Sequence, residues 1–417
     1  MPTAGNVSQF LSQLPVPSII QSPGAISDPN WLRCDGSIIT RASYPALSAA
    51  MPTVGSFTPT VRAALPSAAS FGSGYASIAS NGTNMVACTA STGNFSICVS
   101  TNYGVTWASV TSGISASCQF SGMALAGSNF VAGVYNATSQ PAYCLASSPT
   151  TWSIATGVTL GGPGYASIAA NSAGLVVMLF NSVGYVSSNS GVSYSASTGL
   201  TVPASVTNNT PVVWTGTQFI AFTAGTENGQ GGYQSSTSGA ASTWSTNAFP
   251  PWGIYAISGA CSDGAGNVLV VSAGVSLAWA SRNGGTTWNQ VMLPFNAVGT
   301  CSYANGRWFV PMYYYLGGGS FSDGSMAVSG DMYTWFFVQN LYNMSYTANT
   351  QLSPSVVYAG GNYCSATFTG TTAIPVTFTE NTAQMYLPTS RRSSAPTTGG
   401  FWQLAAVTNN QEWIKAA

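Results

Sequence analysis

The sequence predicts an all-β fold: a seven-bladed β-propeller with four-stranded blades, inserted into a small base domain that both chain ends form together. Six aromatic residues, each closing a turn rich in Gly, Asn and Ser, recur 42 to 50 residues apart. That interval is the length of a four-stranded propeller blade. Between the turns lie short runs of β-branched and aromatic residues, typical of strands. The six aromatic residues are Trp107, Trp152, Tyr194, Trp244, Trp288 and Trp335.

The turns themselves share a motif. Residues 281–288 read SRNGGTTW, residues 100–107 read STNYGVTW, and SSNSGVSY at 187–194 is a weaker copy. They resemble the Asp-box, or BNR repeat, of sialidase-like propellers, with Asn in place of Asp. In such a turn the amide side chain caps backbone donors, Gly permits a positive φ, and the aromatic ring packs between blades. We therefore predict a structural role for Asn102, Gly104, Trp107, Asn189, Gly191, Tyr194, Asn283, Gly285 and Trp288.

The ring is predicted to close with a strand from the other end of the chain. The last unit, after residue 353, offers three strands and lacks a fourth. Residues 56–66 supply a strand in step with the repeat, because Phe57 lies 50 residues before Trp107. Such closure removes open sheet edges. We predict seven blades, with six or eight left open, and three regions: an attachment segment 1–20, a split base 21–55 plus 381–417, and a propeller 56–380.

The base carries its own motif. Residues 30–47 resemble the opening of the phage tail collar domain, and Leu387 and Pro388 resemble a later part of it, about 340 residues downstream. The resemblance implies a bacteriophage tail or fibre protein, attached to other virion proteins through the base and the N-terminal segment, with a homotrimer favoured. The collar residues of the opening are Trp31, Cys34, Asp35, Gly36, Arg41 and Tyr44.

Composition excludes several classes of function. Only 4% of residues are charged, with 8 basic and 8 acidic side chains, against about 25% in an ordinary soluble protein. No basic stripe exists to bind nucleic acid. No apolar run reaches the roughly 18 residues of a membrane span, and residues 1–17 lack a signal-peptide pattern. We therefore expect a virion protein, in a tail or fibre, assembled in the host cytoplasm without membrane insertion.

Eight cysteines are spread along the chain, and histidine is absent. Without histidine or paired cysteine motifs, the sequence predicts no metal site and no cofactor. The favoured interpretation of the cysteines is as buried apolar thiols. A disulfide between Cys88 and Cys98 across a hairpin remains an alternative.

Catalysis is not predicted. A sialidase-type site needs an arginine cluster, and only Arg62, Arg282 and Arg307 lie between residues 56 and 380. The carboxylates are far apart in sequence, and no histidine is available for acid–base chemistry. We expect a non-enzymatic protein.

The predicted insertion point places the base beside the Asn-Gly turns. The loops between strands two and three, and those between blades, then lie on the opposite, free face. Aromatic side chains with neighbouring Ser, Gly and Asn are good recognition chemistry. The prediction is an adhesin that binds a host cell-surface receptor, a glycan, through Trp252, Tyr233, Tyr314, Tyr315 and Phe321. The alternatives are a structural virion component, such as a capsid or tail decoration or an adaptor, and, less favoured, a glycan-cleaving tailspike.

Overall fold

A computed structural model describes the chain from residue 19 to 387 and from 411 to 416, with gaps. The longer gaps are 67–75, 90–96, 135–139, 159–165, 202–210, 224–231, 249–256 and 342–354, and the others span one to three residues. Within the described residues, no helix has the length and apolar character needed to cross a membrane.

Among the described residues, seven antiparallel sheets form the blades, six of them with four strands and one with two short strands added to its four, which confirms the predicted propeller. Blade 1 comprises β5 (Ala76–Ser80), β6 (Met85–Thr89), β7 (Ile97–Ser100) and β8 (Ala108–Ser109). Blade 2 comprises β9 (Phe120–Ala126), β10 (Asn129–Val134), β11 (Ala142–Leu145) and β12 (Ser153–Ile154). Blade 3 comprises β13 (Ala166–Ala170), β14 (Val176–Phe180), β15 (Val183–Ser187) and β16 (Ser195–Thr201).

The next three blades repeat this order. Blade 4 comprises β17 (Val212–Trp214), β18 (Phe219–Thr223), β19 (Gly232–Ser236) and β20 (Ser245–Ala248). Blade 5 comprises β21 (Ile257–Ser262), β22 (Val268–Ser272), β23 (Leu277–Ser281) and β24 (Asn289–Met292). Blade 6 comprises β26 (Ser302–Ala304), β27 (Arg307–Leu316), β29 (Met326–Ser329) and β30 (Phe336–Val338), with β25 (Asn296–Ala297) and β28 (Gly319–Phe321) added to β27.

Blade 7 closes the ring with strands from both ends of the propeller, as predicted. It comprises β31 (Ser355–Ala359), β32 (Asn362–Thr369), β33 (Thr372–Asn381) and β4 (Ser56–Val61). The β4 strand pairs with β33 over six residues, from Ser56 opposite Asn381 to Val61 opposite Val376. The outermost strand of the last blade therefore comes from the start of the chain.

Apolar packing between blades makes the core. Seven clusters of buried side chains are found among the described propeller residues, and each draws on two neighbouring blades. One cluster joins blade 7 to blade 1 through Cys364 and Met85. Because a blade inside the ring is covered on both faces, its second strand can be apolar throughout, and β14, which reads VVMLF, is buried along its whole length.

Both chain ends pair in the base. The strand β35 (Gln411–Lys415) lies between β1 (Ile19–Ser22) and β2 (Trp31–Arg33), and β3 (Ile38–Thr40) pairs with β34 (Gln384–Tyr386). A short helix, α1 (Pro45–Ala50), follows β3. A small separate core forms from Cys34, Leu47, Met385, Leu387 and Ala416.

All eight cysteines are buried free thiols, which confirms the favoured interpretation. The alternative Cys88–Cys98 disulfide is wrong, for a geometric reason. In the β6–β7 ladder Cys98 is opposite Ala87 and Cys88 is opposite Ile97. Because successive side chains in a strand point to opposite faces, Cys88 packs toward blade 2 and Cys98 toward blade 7. Burial raises the pKa of the Cys98 thiol to about 12.

Candidate functional site

The turns between strands three and four form a repeated, self-contained hydrogen-bond unit. In blade 1 the Asn102 Oδ1 atom accepts from the Thr106 N–H at 2.9 Å, and its Nδ2 donates to the Thr106 Oγ1 at 2.8 Å. The Ser100 hydroxyl accepts from the Gly104 N–H at 2.9 Å, where φ is +82°. Trp107 donates its indole N–H to the Gly104 carbonyl at 3.1 Å and packs on the blade 7/1 cluster.

The same unit recurs in blades 3 and 5. Asn189 and Asn283 accept from the backbone N–H groups of Ser193 and Thr287 at 3.0 and 2.8 Å. Gly191 and Gly285 have φ values of +79° and +94°. Tyr194 packs between blades 2 and 3, and Trp288 packs between blades 4 and 5. Burial raises the pKa of Tyr194. In blade 6 Asp331 holds the amide position, accepting from the Thr334 and Tyr333 N–H groups at 2.7 and 2.8 Å.

A charged joint connects the base to the propeller. Glu380, near the end of β33, accepts from the Gly55 N–H at 2.6 Å and forms an ion pair with Arg307. Tyr363 donates its hydroxyl to Glu380 at 3.3 Å. Burial, and then the neighbouring Glu380 carboxylate, raise the pKa of Tyr363. On the adjoining strand the Phe57 N–H donates to the Tyr386 hydroxyl at 2.8 Å.

The collar residues that the structure describes build the base and its attachment. Trp31 and Cys34 are 3% and 1% exposed, and Leu387 lies in the base core. Arg41 donates to the carbonyls of Val54 and Gln384 at 2.8 and 3.2 Å. Burial, and then the nearby Arg307 cation, lower the pKa of Arg41. Tyr44 packs on the base core. The remaining collar residues, Asp35, Gly36 and Pro388, lie outside the described residues.

The five predicted receptor-contacting residues fare differently. Tyr233 requires a correction: it lies in β19 and is 7% exposed, so its side chain is not available to a receptor. Its ring is 5.9 Å from that of Trp288, and its hydroxyl donates to the Gly285 carbonyl at 2.6 Å, which joins blades 4 and 5. Trp252 lies outside the described residues.

The other three candidates lie in a hairpin rather than in the loop that the sequence predicted. The β27 strand continues past the body of blade 6 and turns back as β28, with Tyr314 opposite Phe321 and Tyr315 opposite Ser320. The hairpin connects the second strand of the blade to the third. It therefore extends from the end of the blade opposite the Asn-Gly turns.

A neutral groove opens at the outer edge of blades 1 and 2. It has a volume of about 320 Å³ and is lined by the indole of Trp107 and by hydroxyl side chains. Because the Trp107 indole N–H is already bonded to Gly104, the ring offers the groove an apolar surface. No charged residue lines it. The hydroxyl residues are Thr101, Thr106, Ser109, Thr111 and Thr150.

The carboxylates described inside the propeller each serve a local structure. Asp263 accepts from the Ala265 and Asn267 N–H groups in the first turn of blade 5. Asp331 caps its turn, and Glu380 holds the joint. Arg282 lies over the Tyr333 ring at 4.6 Å. Across the described residues, no group of three or more Cys, Asp, Glu or His side chains is placed to share a metal ion.

Comparison with known proteins finds similarity to solved structures only. No family model matches the chain, and no curated protein does. Among solved structures, the propeller is similar to YCF48 from Cyanidioschyzon merolae, with 13% identity, 77% of this chain and 98% of that chain covered, and a TM-score of 0.48. It is also similar to the Dos1 propeller, with 9% identity and a TM-score of 0.48, in a match that covers 78% of this chain and 95% of that chain. A third similar structure is the GH74 enzyme of Niastella koreensis, with 17% identity and a TM-score of 0.43. The match covers 70% of this chain and 50% of that chain.

Two sets of contacts between blades escaped the sequence reasoning. Serines in the first strand accept from the backbone of the next blade: Ser77 from Met123, Ser121 from Ala166, Ser167 from Val212 and Ser302 from Val356, at 2.7 to 3.0 Å. Side-chain amides at the first turn donate to a carbonyl of the next blade: Asn81 to Ala146, Asn129 to Ser190 and Gln218 to Gly284, at 2.8 to 3.1 Å. The repeated ASIA at 76–79 and 166–169 was a signal for the serines.

Proposed function

We propose that the protein is a non-catalytic bacteriophage adhesin, a fibre or tail-tip component that binds a glycan on the host surface. One observation carries the proposal. The base joins the propeller at one end of blade 7: the chain leaves the base through β4 and returns to it where the end of β33 leads into β34. The loops at the opposite end of the blades are then directed away from the attachment point, as a receptor-binding surface requires.

The collar resemblance supports the virion assignment. Its described residues hold the base together and fasten it to the propeller, through the base core and through Arg41. The base and the segment 1–20 would contact other virion proteins, and the chain would act as a homotrimer, so that weak individual sites gain from multivalency.

The chemistry of the ligand follows from the low charge of the chain. With 8 acidic and 8 basic residues in 417, long-range electrostatic attraction contributes little to an encounter. Aromatic rings and hydroxyl groups remain, and these suit the apolar faces and hydroxyls of a neutral sugar. The groove beside Trp107 offers this chemistry, and the sequence of the blade 6 hairpin is rich in the same residue types.

Binding of the purified chain to a glycan array and to intact bacteria tests the proposal. The variants are Trp252→Ala and Tyr315→Ala, at positions that the sequence predicts for the free face, and Thr111→Arg with Thr150→Arg to fill the groove. A matched control is Thr198→Arg, which alters an exposed threonine of blade 3.

Saturable binding that a folded free-face variant loses supports the proposal and its site. If only the groove variants lose binding, the protein is still an adhesin, and its binding site is the groove at the outer edge of blades 1 and 2. Absence of binding by the folded chain on every surface would contradict the proposal and favour a structural virion component.

A further inference from the structure

Two buried thiols meet at the interface between blades 5 and 6. Cys261 lies in β21, the first strand of blade 5, and Cys301 directly precedes β26, the first strand of blade 6. They are 9% and 6% exposed and belong to one apolar cluster. Two cysteines from neighbouring blades therefore share one packed interface.

Hydrogen bonding fixes their relative position. The Cys301 thiol donates to the Leu269 carbonyl, with the sulfur 3.6 Å from the oxygen. Leu269 is the residue directly opposite Cys261 in the β21–β22 ladder. The Cys301 sulfur is thus held beside the strand pair that carries Cys261.

This arrangement differs from that of Cys88 and Cys98. Those two are nearer in sequence, but they lie on opposite faces of one sheet. Cys261 and Cys301 come from neighbouring blades and pack in the same interface cluster. A disulfide needs an S–S distance of about 2.0 Å and facing Cβ atoms, and two thiols packed in one interface, with one sulfur held beside the strand pair of the other, are the starting arrangement for it.

We propose that Cys261 and Cys301 are a disulfide site that ties blade 5 to blade 6 once the chain meets an oxidising low-molecular-weight disulfide. One cysteine thiolate attacks the oxidant, forms a mixed disulfide and releases one small thiol. The second cysteine attacks the mixed disulfide and releases the other small thiol. The two protein thiols lose two electrons and two protons, and the oxidant gains them as two thiols.

Burial sets the rate of this step. Burial, and then the neighbouring Cys301 thiol, raise the pKa of Cys261 well above its usual value. Because the thiolate is the nucleophile, oxidation proceeds slowly and through transient opening of the interface. The same burial protects the bridge, once formed, from reduction.

The experiment uses the full chain, kept in reduced or in oxidised glutathione under native conditions, then alkylated in denaturant and digested with trypsin. Cleavage after Arg282 and Arg307 yields peptide 283–307, in which Cys301 is the only cysteine. We expect this peptide to stay joined to the peptide that ends at Arg282 after oxidation only. We also expect the thermal midpoint of unfolding to rise by roughly 5 °C.

Two variants serve as controls. Cys261→Ala abolishes the link, and Cys88→Ala leaves it unchanged. The proposal is overturned if Cys301 of the natural chain remains fully alkylated after prolonged native oxidation. It is also overturned if peptide 283–307 stays linked in Cys261→Ala, because Cys301 would then have another partner. Peptide mapping of the natural chain decides the matter even if a variant fails to fold.

Discussion

The Arg307 guanidinium donates to the Glu380 carboxylate with an Nη2–Oε1 distance of 2.8 Å, and the two side chains are 13% and 9% exposed. Arg307 is the first residue of β27 in blade 6, and Glu380 is the last residue but one of the third strand of blade 7, beside the base. The pair occupies the place where side-chain amides join other neighbouring blades. It is the ionic version of a contact that recurs around the ring.

We predict that Glu380→Gln lowers the free energy of unfolding by about 3 kcal/mol, because it leaves the Arg307 cation nearly buried without its counter-charge. Chemical denaturation measures the change. The matched control is Arg62→Gln, which removes an arginine that donates to the Thr377 hydroxyl in the same blade. The double variant Arg307→Met with Glu380→Leu should recover much of the loss. A loss in Glu380→Gln no larger than in the control would contradict the role of the ion pair.

The Asp331 turn predicts a defined acid sensitivity. Burial acts to raise the pKa of this carboxyl, but hydrogen bonds from Thr334, Tyr333 and Ser329 together outweigh it, and the pKa lies below its usual value. A lowered pKa stabilises the fold above the unfolded value of about 4. That contribution disappears as the pH falls through the folded value.

The test exchanges the acid and the amide between two turns. Asp331→Asn should preserve the thermal midpoint at pH 7 and make its decline below about pH 4 shallower. The reciprocal Asn283→Asp should make that decline steeper, because it adds a carboxylate at the equivalent position of blade 5. Identical acid profiles for the natural chain and both variants would refute this account of the turns.

Glycine is required at some turns by space as well as by conformation. Gly157 and Gly306 have similar φ values of +83° and +75°. A Cβ atom on Gly157 would lie 2.0 Å from the Tyr194 carbonyl oxygen, whereas one on Gly306 would meet nothing within 4 Å. We expect Gly306→Ala to cost about 1 kcal/mol and Gly157→Ala about 3 kcal/mol or more. Equal costs in denaturation would show that the close approach does not matter.

Tyr233 allows structure and recognition to be separated. Its hydroxyl donates to the Gly285 carbonyl across the blade 4/5 interface. Removal of that hydroxyl leaves a buried acceptor with one partner fewer, and we expect Tyr233→Phe to lower the free energy of unfolding by about 1–2 kcal/mol. At temperatures below its midpoint of thermal unfolding, the Tyr233→Phe variant should bind host cells as well as the natural chain does. A binding loss without a stability loss would restore Tyr233 as a receptor contact.

The propeller was predictable because its signals are local and repeated. Each aromatic residue of a turn marks a fourth strand, and the pattern at Phe57 stays in step with the repeat. Ring closure followed from counting, since one unit lacked a strand that 56–61 supplies.

Contacts between blades could not be predicted in the same way, because they depend on which face a side chain takes. The sequence placed Tyr233 at the end of a loop, but β19 begins at Gly232 and directs the tyrosine into an interface. The spacing of Cys88 and Cys98 allows a pair across a hairpin, but their register places them on opposite faces of the sheet. The groove at Thr111 and Thr150 joins residues of two blades that no motif connects.

The central claim is that the face opposite the base binds a receptor, and hydrogen–deuterium exchange with and without host envelope fragments tests it most directly. The account predicts slower exchange in residues 249–256 and 314–321 when the fragments are present. Exchange should stay unchanged in the turns 100–107, 187–194 and 281–288 and in the base strands. Protection confined to Trp31–Arg33 and Gln384–Tyr386 would contradict the account and identify the base as the interaction surface. No change anywhere would contradict the account as well.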